Sequence, residues 1–383
     1  MKVPPVFGEL VGRYDPDRLE LGRRVARVRL LVRGSESVDV VLDGRLARLE
    51  PANGHRADAE LSADQDVWVR LAADVNGGLD AFRRGRLTIR HDLHLGVGFL
   101  AATADAGPAG PRFRQVATTL GVLSVTEAGD GPPAILIHGL GATKVSMLPT
   151  LAALAPTHRA IALDLPGFGD SVKPLRAPYH APYFAGAVVA LMDALELRRP
   201  DLVGNSLGGR VAIEVGLRFP SRTGRLGLLA PSLAWLRGRP FAPLLRLVPP
   251  QLGLLQPTPR ALTESIVRRL VPGAADGWTA AGVDEFLRSY LTPRGRAAFY
   301  AAARNIYLEE PSGTHGLWTR LPSLTAPSLF IWGRRDRLVP IGFEPHVREA
   351  LPASTHLELD CGHVPQLEAP VQTHRALLRF LAA

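Results

Sequence analysis

Gly204-Asn205-Ser206-Leu207-Gly208, led in by Leu202 and Val203 and followed by Gly209 to Phe219, decides how this chain reads. Leu202 and Val203 close a short apolar run of strand type. Val211, Ala212, Val215 and Phe219 then recur at helical spacing. A serine on so sharp a strand-to-helix turn takes strained backbone angles, and the flanking glycines leave room for the crossing while the hydroxyl stands clear at the sheet edge. In a chain with 38 glycines the five-residue pattern decides little alone, so its context carries the weight.

Working outward, strands and helices alternate as in a mainly parallel sheet with helices on both faces, an α/β arrangement. Strands are expected at Ala134 to His138, Arg159 to Asp164, Asp201 to Gly204, Arg225 to Leu229, Ser328 to Trp332 and Thr355 to Leu359, with Leu120 to Glu127 as an antiparallel edge. Helices are expected at Tyr183 to Leu195, Glu344 to Leu351 and Val371 to Leu381. Between about residues 232 and 326 the alternation gives way to a Leu-, Arg- and Pro-rich insert of helical pattern, read as a lid.

An activated serine needs a base, a carboxylate to orient that base, and N–H groups aimed at the developing oxyanion. Asp336 follows one strand, in Trp332-Gly333-Arg334-Arg335-Asp336, and His363 follows the last, in Gly362-His363. Ser206, Asp336 and His363 thus each lie at the carboxyl end of an expected strand, the edge where ligands gather in open α/β sheets. Asp360 and Glu358 compete with Asp336 but stand too near the histidine in sequence to approach its ring from the far side. His138-Gly139-Leu140-Gly141 supplies one oxyanion donor, the Leu140 N–H, and Leu207, after the serine, supplies the second. His138 is expected to brace that loop by hydrogen bonds.

These segments, with Asp164-Leu165-Pro166-Gly167-Phe168-Gly169-Asp170-Ser171, resemble the α/β-hydrolase fold from about Phe113 to the C-terminus. The order Ser206, Asp336, His363 is that family's order. The resemblance implies a serine hydrolase working through an acyl-enzyme on a carboxylic ester or thioester with an apolar part. The Gly-Asn-Ser-x-Gly-Gly form of the turn is similar to that of C–C bond hydrolases acting on ring-cleavage products, an alternative reading. Epoxide hydrolase and dehalogenase relatives place a carboxylate where Ser206 stands.

Residues 1–110 form a small α+β domain ending in the linker Ala101 to Pro111, and residues 111–383 form the second domain. Strands are expected at Val25 to Val32, Val38 to Leu42 and Leu46 to Leu49, with Leu87 to Ile89 and Leu93 to Leu100 as a further pair. Ser62 is the expected cap of a helix, with Gln65 three positions on. Ala57-Asp58-Ala59-Glu60-Leu61 and Gly78 to Ile89 make the region from Val25 to Thr103 similar to sterol-carrier-protein-2-like domains, which implies shelter for lipid-like ligands. A lipid-binding carrier with a secondary hydrolase domain is therefore a further alternative.

A formal charge of +9 invites an anionic partner, yet of 45 basic residues only Lys2, Lys144 and Lys173 are lysine and no basic stripe is interleaved with aromatics. Nucleic acid is not an expected partner, while peripheral contact with a membrane or lipid is compatible with the charge. Cys361 is the single cysteine, so no internal disulfide forms. Met1 to Arg13 lacks a signal-peptide core, and Phe241 to Leu255 is broken by prolines and too short to span a membrane, so a cytoplasmic protein is expected. His91 and His94, three apart on an expected strand, would face opposite sides, so no metal site is read there. No cofactor is called for.

Overall fold

The computed structural model describes all residues except 1–3, 22–24, 36, 74–75, 105–106, 108, 237–238, 248, 250–258 and 271–275. Parts of the expected linker and of the expected lid, including the end of the Phe241 to Leu255 run, lie outside the described residues.

The chain builds two sheets. The first joins β1 (Val25–Val32), β2 (Ser37–Asp43), β3 (Leu46–Pro51), β4 (Ala59–Ala63) and β5 (Leu87–Arg90) in the order β3-β2-β1-β4-β5. Only β1 and β4 run parallel. Ala26, Val28 and Leu30 of β1 point to a core with Phe7, Leu10, Trp68 and Phe99, whereas Arg27 and Arg29 on the other face pair with Asp39. That period of two is the alternation expected of a sheet buried on one side.

Two expectations fail here. Leu93 to Leu100 is not a strand but part of the helix Leu93–Ala102, capped by Asp92, whose carboxylate accepts from Leu95 N at 2.8 Å. An apolar run of eight fits a buried helix as well as a strand, and the cap settles the matter. The helix lies so close to its neighbours that a Cβ at Gly96 would come within 2.5 Å of Ile89, and one at Gly98 within 2.5 Å of Leu19. His94 therefore sits on a helix, and the opposite-faces reading of the two histidines falls. Ser62 likewise lies inside β4. The next helix, Gln65–Ala73, starts two residues later at Asp64, whose carbonyl accepts from Val67 and Trp68.

The second sheet contains β6 (Arg112–Thr118), β7 (Gly121–Ala128), β8 (Pro133–Ile137), β9 (Arg159–Leu163), β10 (Asp201–Asn205), β11 (Leu226–Leu229), β12 (Ser328–Gly333) and β13 (Thr355–Leu359), in the order β13-β12-β11-β10-β8-β9-β7-β6. All run parallel from β13 to β9, and β7 is antiparallel to both its neighbours. The expected edge strand is thus second from the edge, with β6 outside it. The chain leaves β8 for β9 on one side and returns to β10 on the other, so the strand order reverses beside β8. A crevice opens at such a point, outside the carboxyl ends of the strands.

Between β11 and β12 the insert supplies helices at Ala242–Leu247, Arg260–Leu270, Asp276–Tyr290, Pro293–Leu308 and Leu317–Arg320. Among the described residues no helix is long and apolar enough to cross a membrane.

Candidate active site

Ser206 joins β10 to the helix Leu207–Arg218 with φ 53° and ψ −116°, a strained conformation for a residue with a side chain. The glycines around it answer to backbone, not to chance. A Cβ on Gly204 would come within 2.3 Å of the Gly208 backbone, and one on Gly208 within 2.1 Å of Ile137 O. The turn is held from both sides: Ser206 N donates to Leu229 O at 3.0 Å, and Ser206 O accepts from Arg210 N at 3.0 Å and Ser232 N at 2.9 Å.

His363 lies four residues beyond β13 and Asp336 three beyond β12. His363 Nδ1 meets Asp336 Oδ2 at 2.7 Å, with the carboxylate fully enclosed. The other carboxylate oxygen accepts from Leu338 N at 2.8 Å and Val339 N at 3.0 Å, so the acid is fixed before it fixes the ring. Asp360 and Glu358, the competing acids, point away into pairs with Arg335 and Arg334. Asn205, which the sequence reading passed over, ties the two ends of the site together. Its Nδ2 donates to His363 O at 3.1 Å and to Leu229 O at 3.0 Å, holding the histidine's backbone beside the serine turn.

Leu140 lies in the turn after β8, closed by Ala142 N to Gly139 O at 3.2 Å. A Cβ on Gly139 would sit 3.3 Å from Ser206 Cβ, so this turn and the serine are neighbours. Leu207 opens its helix, which leaves its N–H without a partner inside that helix. His138 is a brace: Nδ1 donates to Gly139 O at 2.7 Å, Nε2 accepts from Leu165 N at 3.0 Å, and burial lowers its pKa. Cys361 is buried, and its thiol is pushed up to about 12 by that burial, with Glu368 and Asp336 adding to the shift.

Below the turn lies a feature the motifs did not reveal. Lys144 and Asp164 are both wholly buried, with Lys144 Nζ 2.6 Å and Lys144 N 2.7 Å from the carboxylate, which also accepts Asp170 N at 2.9 Å. Burial works to raise the Asp164 pKa, but Lys144 and His138 together hold the acid below its ordinary value. A lysine six residues past His138, in a chain with only three, was the available signal.

Residues 132–370 match the family model described as alpha/beta hydrolase fold. The chain belongs to that family. This alpha/beta hydrolase is 29% identical over 258 residues to the dihydrolipoyllysine-residue acetyltransferase component of the acetoin cleaving system of Pseudomonas putida, matching 66% of this chain but only 64% of that longer protein. It is 28% identical over 283 residues to the 2-hydroxy-6-oxo-6-phenylhexa-2,4-dienoate hydrolase of Comamonas testosteroni, covering 68% of this chain and 91% of that one. Among solved structures it is similar to a bacterial membrane phospholipase A, at 27% identity and a TM-score of 0.56 over 83% of this chain and 93% of that one. Fold and relatives together make the protein an enzyme of the hydrolase kind.

Proposed function

We propose that the chain is a serine hydrolase that cleaves a carboxylic ester or thioester with an apolar moiety. The observation that carries this reading is the strained Ser206 turn set beside the 2.7 Å pair of His363 and Asp336. Ser206 Oγ attacks the carbonyl carbon while His363 Nε2 takes its proton, and the negative charge on the carbonyl oxygen meets the N–H groups of Leu140 and Leu207. Collapse expels the alcohol or thiol, protonated by His363, and leaves an acyl-serine that water cleaves by the same steps in reverse. Asp336 keeps the ring oriented and stabilises its protonated form.

Residues 232–326 act as the lid in this reading. Its helices Asp276–Tyr290 and Pro293–Leu308 bring Phe286 and Phe299 against Gly141, where an added Cβ would meet them at 2.9 and 3.1 Å. That aromatic roof favours an apolar substrate, lipid-like ones included. A fluorophosphonate probe should label Ser206 in the folded protein and leave the Ser206→Ala variant unlabelled. Absence of labelling in the folded wild-type chain would overturn the proposal.

Cleavage of a C–C bond in a ring-fission product is the second reading, favoured by the dienoate hydrolase relative and by a Gly-Asn-Ser-x-Gly-Gly turn that resembles the form found in C–C bond hydrolases. Side-by-side assays of p-nitrophenyl esters and a ring-fission dienoate separate the two. The amino-terminal unit, with its sterol-carrier-protein-2-like segments, is read as part of the hydrolase more than as a free carrier, because its core takes in Trp278 and Ala281 of the lid.

A further inference from the structure

The helix Asp276–Tyr290 is buried on two opposite sides by two different parts of the chain. Trp278 and Ala281 belong to the core of the amino-terminal sheet, with the Trp278 ring edge-on to Phe82 at 4.9 Å between centroids. Asp284 is almost fully enclosed. It accepts from Arg90 Nε at 2.6 Å and from His91 N at 3.1 Å, and pairs with Arg260. Arg288 grips Asp170, in the loop after β9, through two contacts at 2.7 and 3.0 Å, and lies 3.8 Å from Asp92 of the amino-terminal unit. Positions 278, 281, 284 and 288 follow helical spacing and share one face.

Phe286 and Tyr290 occupy the other face. Their rings stack at 4.9 Å, and both meet Phe299 edge-on at 5.5 Å. This aromatic group presses on Gly141, next to Leu140 in the oxyanion turn. One helix, 15 residues long, thus touches both the amino-terminal core and the aromatic group beside the turn that carries Leu140.

We propose that the amino-terminal unit is a fixed clamp on this helix, that Arg90 and Asp284 are positioning residues for the roof, and that Phe286 sets the acyl length the site accepts. The proposal rests on the serine hydrolase reading above. A clamped roof keeps the Phe286 ring at one height over the oxyanion turn, so long acyl chains are turned away by a wall that cannot swing aside.

The test compares kcat/KM for p-nitrophenyl butyrate and p-nitrophenyl decanoate in the full chain and in Phe286→Ala, Arg90→Gln, Arg90→Lys and Asp284→Asn, with fluorophosphonate labelling and melting temperature measured alongside. Phe286→Ala should raise the decanoate-to-butyrate ratio by on the order of tenfold, the scale on which an apolar pocket discriminates. Arg90→Gln and Asp284→Asn should move the ratio in the same direction, and Arg90→Lys should restore it. A residue that merely supports the fold would lower the melting temperature and scale both esters together. Unchanged ratios in variants still labelled at Ser206 overturn the clamp, whereas a wild-type chain that takes no label overturns the hydrolase reading instead. Amide hydrogen exchange on the wild-type chain decides the matter should the variants not fold. Residues 276–290 should exchange as slowly as β1 and β4, and more slowly than residues 260–270; exchange as fast as 260–270 overturns the proposal.

Discussion

Glycine at position 208 is required by a carbonyl oxygen. The helix after Ser206 runs so close over β8 that a methyl group there would lie 2.1 Å from Ile137 O, with backbone on both sides and no flexible side chain to give way. Gly208→Ala is therefore expected to cost at least about 1–3 kcal/mol, the range for forcing extra volume into a tight site, as read by urea unfolding monitored by circular dichroism. A Ser206→Ala chain, with only the hydroxyl removed from a half-exposed position, should melt at the wild-type temperature while turnover falls by roughly a millionfold. Loss of stability in that variant would mean the serine is needed for folding and not only for chemistry. The positions of the candidates Ser206, Asp336 and His363 were legible in the sequence because each stands just past a strand, and one architectural rule gathers strand ends. Asn205 was not, because an amide inside the motif gains its role only from the carbonyl of a residue 158 positions away.

At the element scale the turn after β8 is held by a buried charge pair as well as by apolar contact. Lys144→Met would leave Asp164 enclosed without its cation, and breaking a buried pair from one side costs about 3–5 kcal/mol. Lower stability should come with slower ester turnover, since the same turn carries Leu140; a variant of wild-type stability would show that Asp164 finds another partner. The strand expectation for Leu93 to Leu100 failed at this scale because a run so nearly all apolar shows no period that separates strand from helix. Asp92 in front of them was the readable sign of a helix start. The β10 turn and its helix were easy to read by contrast, since a strand period gives way to a helical one within five residues.

For the molecule as a whole, charge collects where the amino-terminal unit, the hydrolase sheet and the insert meet. Asp92, on the first, faces Arg288 and Glu285 of the insert and Asp170 of the sheet's loops, with His94, Lys144 and Asp164 close behind. Burial raises the Asp92 pKa, Arg288 opposes the rise, and the result is about 6 against an ordinary 3.8. The folded protein then holds a proton that the unfolded chain has released, so this group lowers stability as pH climbs from about 4 to about 6. Asp92→Asn keeps an acceptor for Leu95 N and should flatten that part of the curve, raising stability above pH 6 by up to about 2–3 kcal/mol. An unchanged slope in thermal unfolding across pH 4–7 would show that another group takes up the proton. Such long-range pairs were invisible in the sequence, Arg90 and Asp284 being 194 residues apart.

A chain cut to residues 111–383 would bare Trp278, Val145 and Leu148, all members of the amino-terminal core, and is expected to aggregate on size-exclusion chromatography where the full chain does not. A soluble, monomeric fragment would contradict that expectation. The strict sharing of helix Asp276–Tyr290 has a bearing on ancestry and on engineering alike. Recombination that exchanges the first hundred residues between homologous genes would leave a foreign socket around Trp278. Viable hybrids should carry both pieces from the same parent, although nearly two hundred codons separate them.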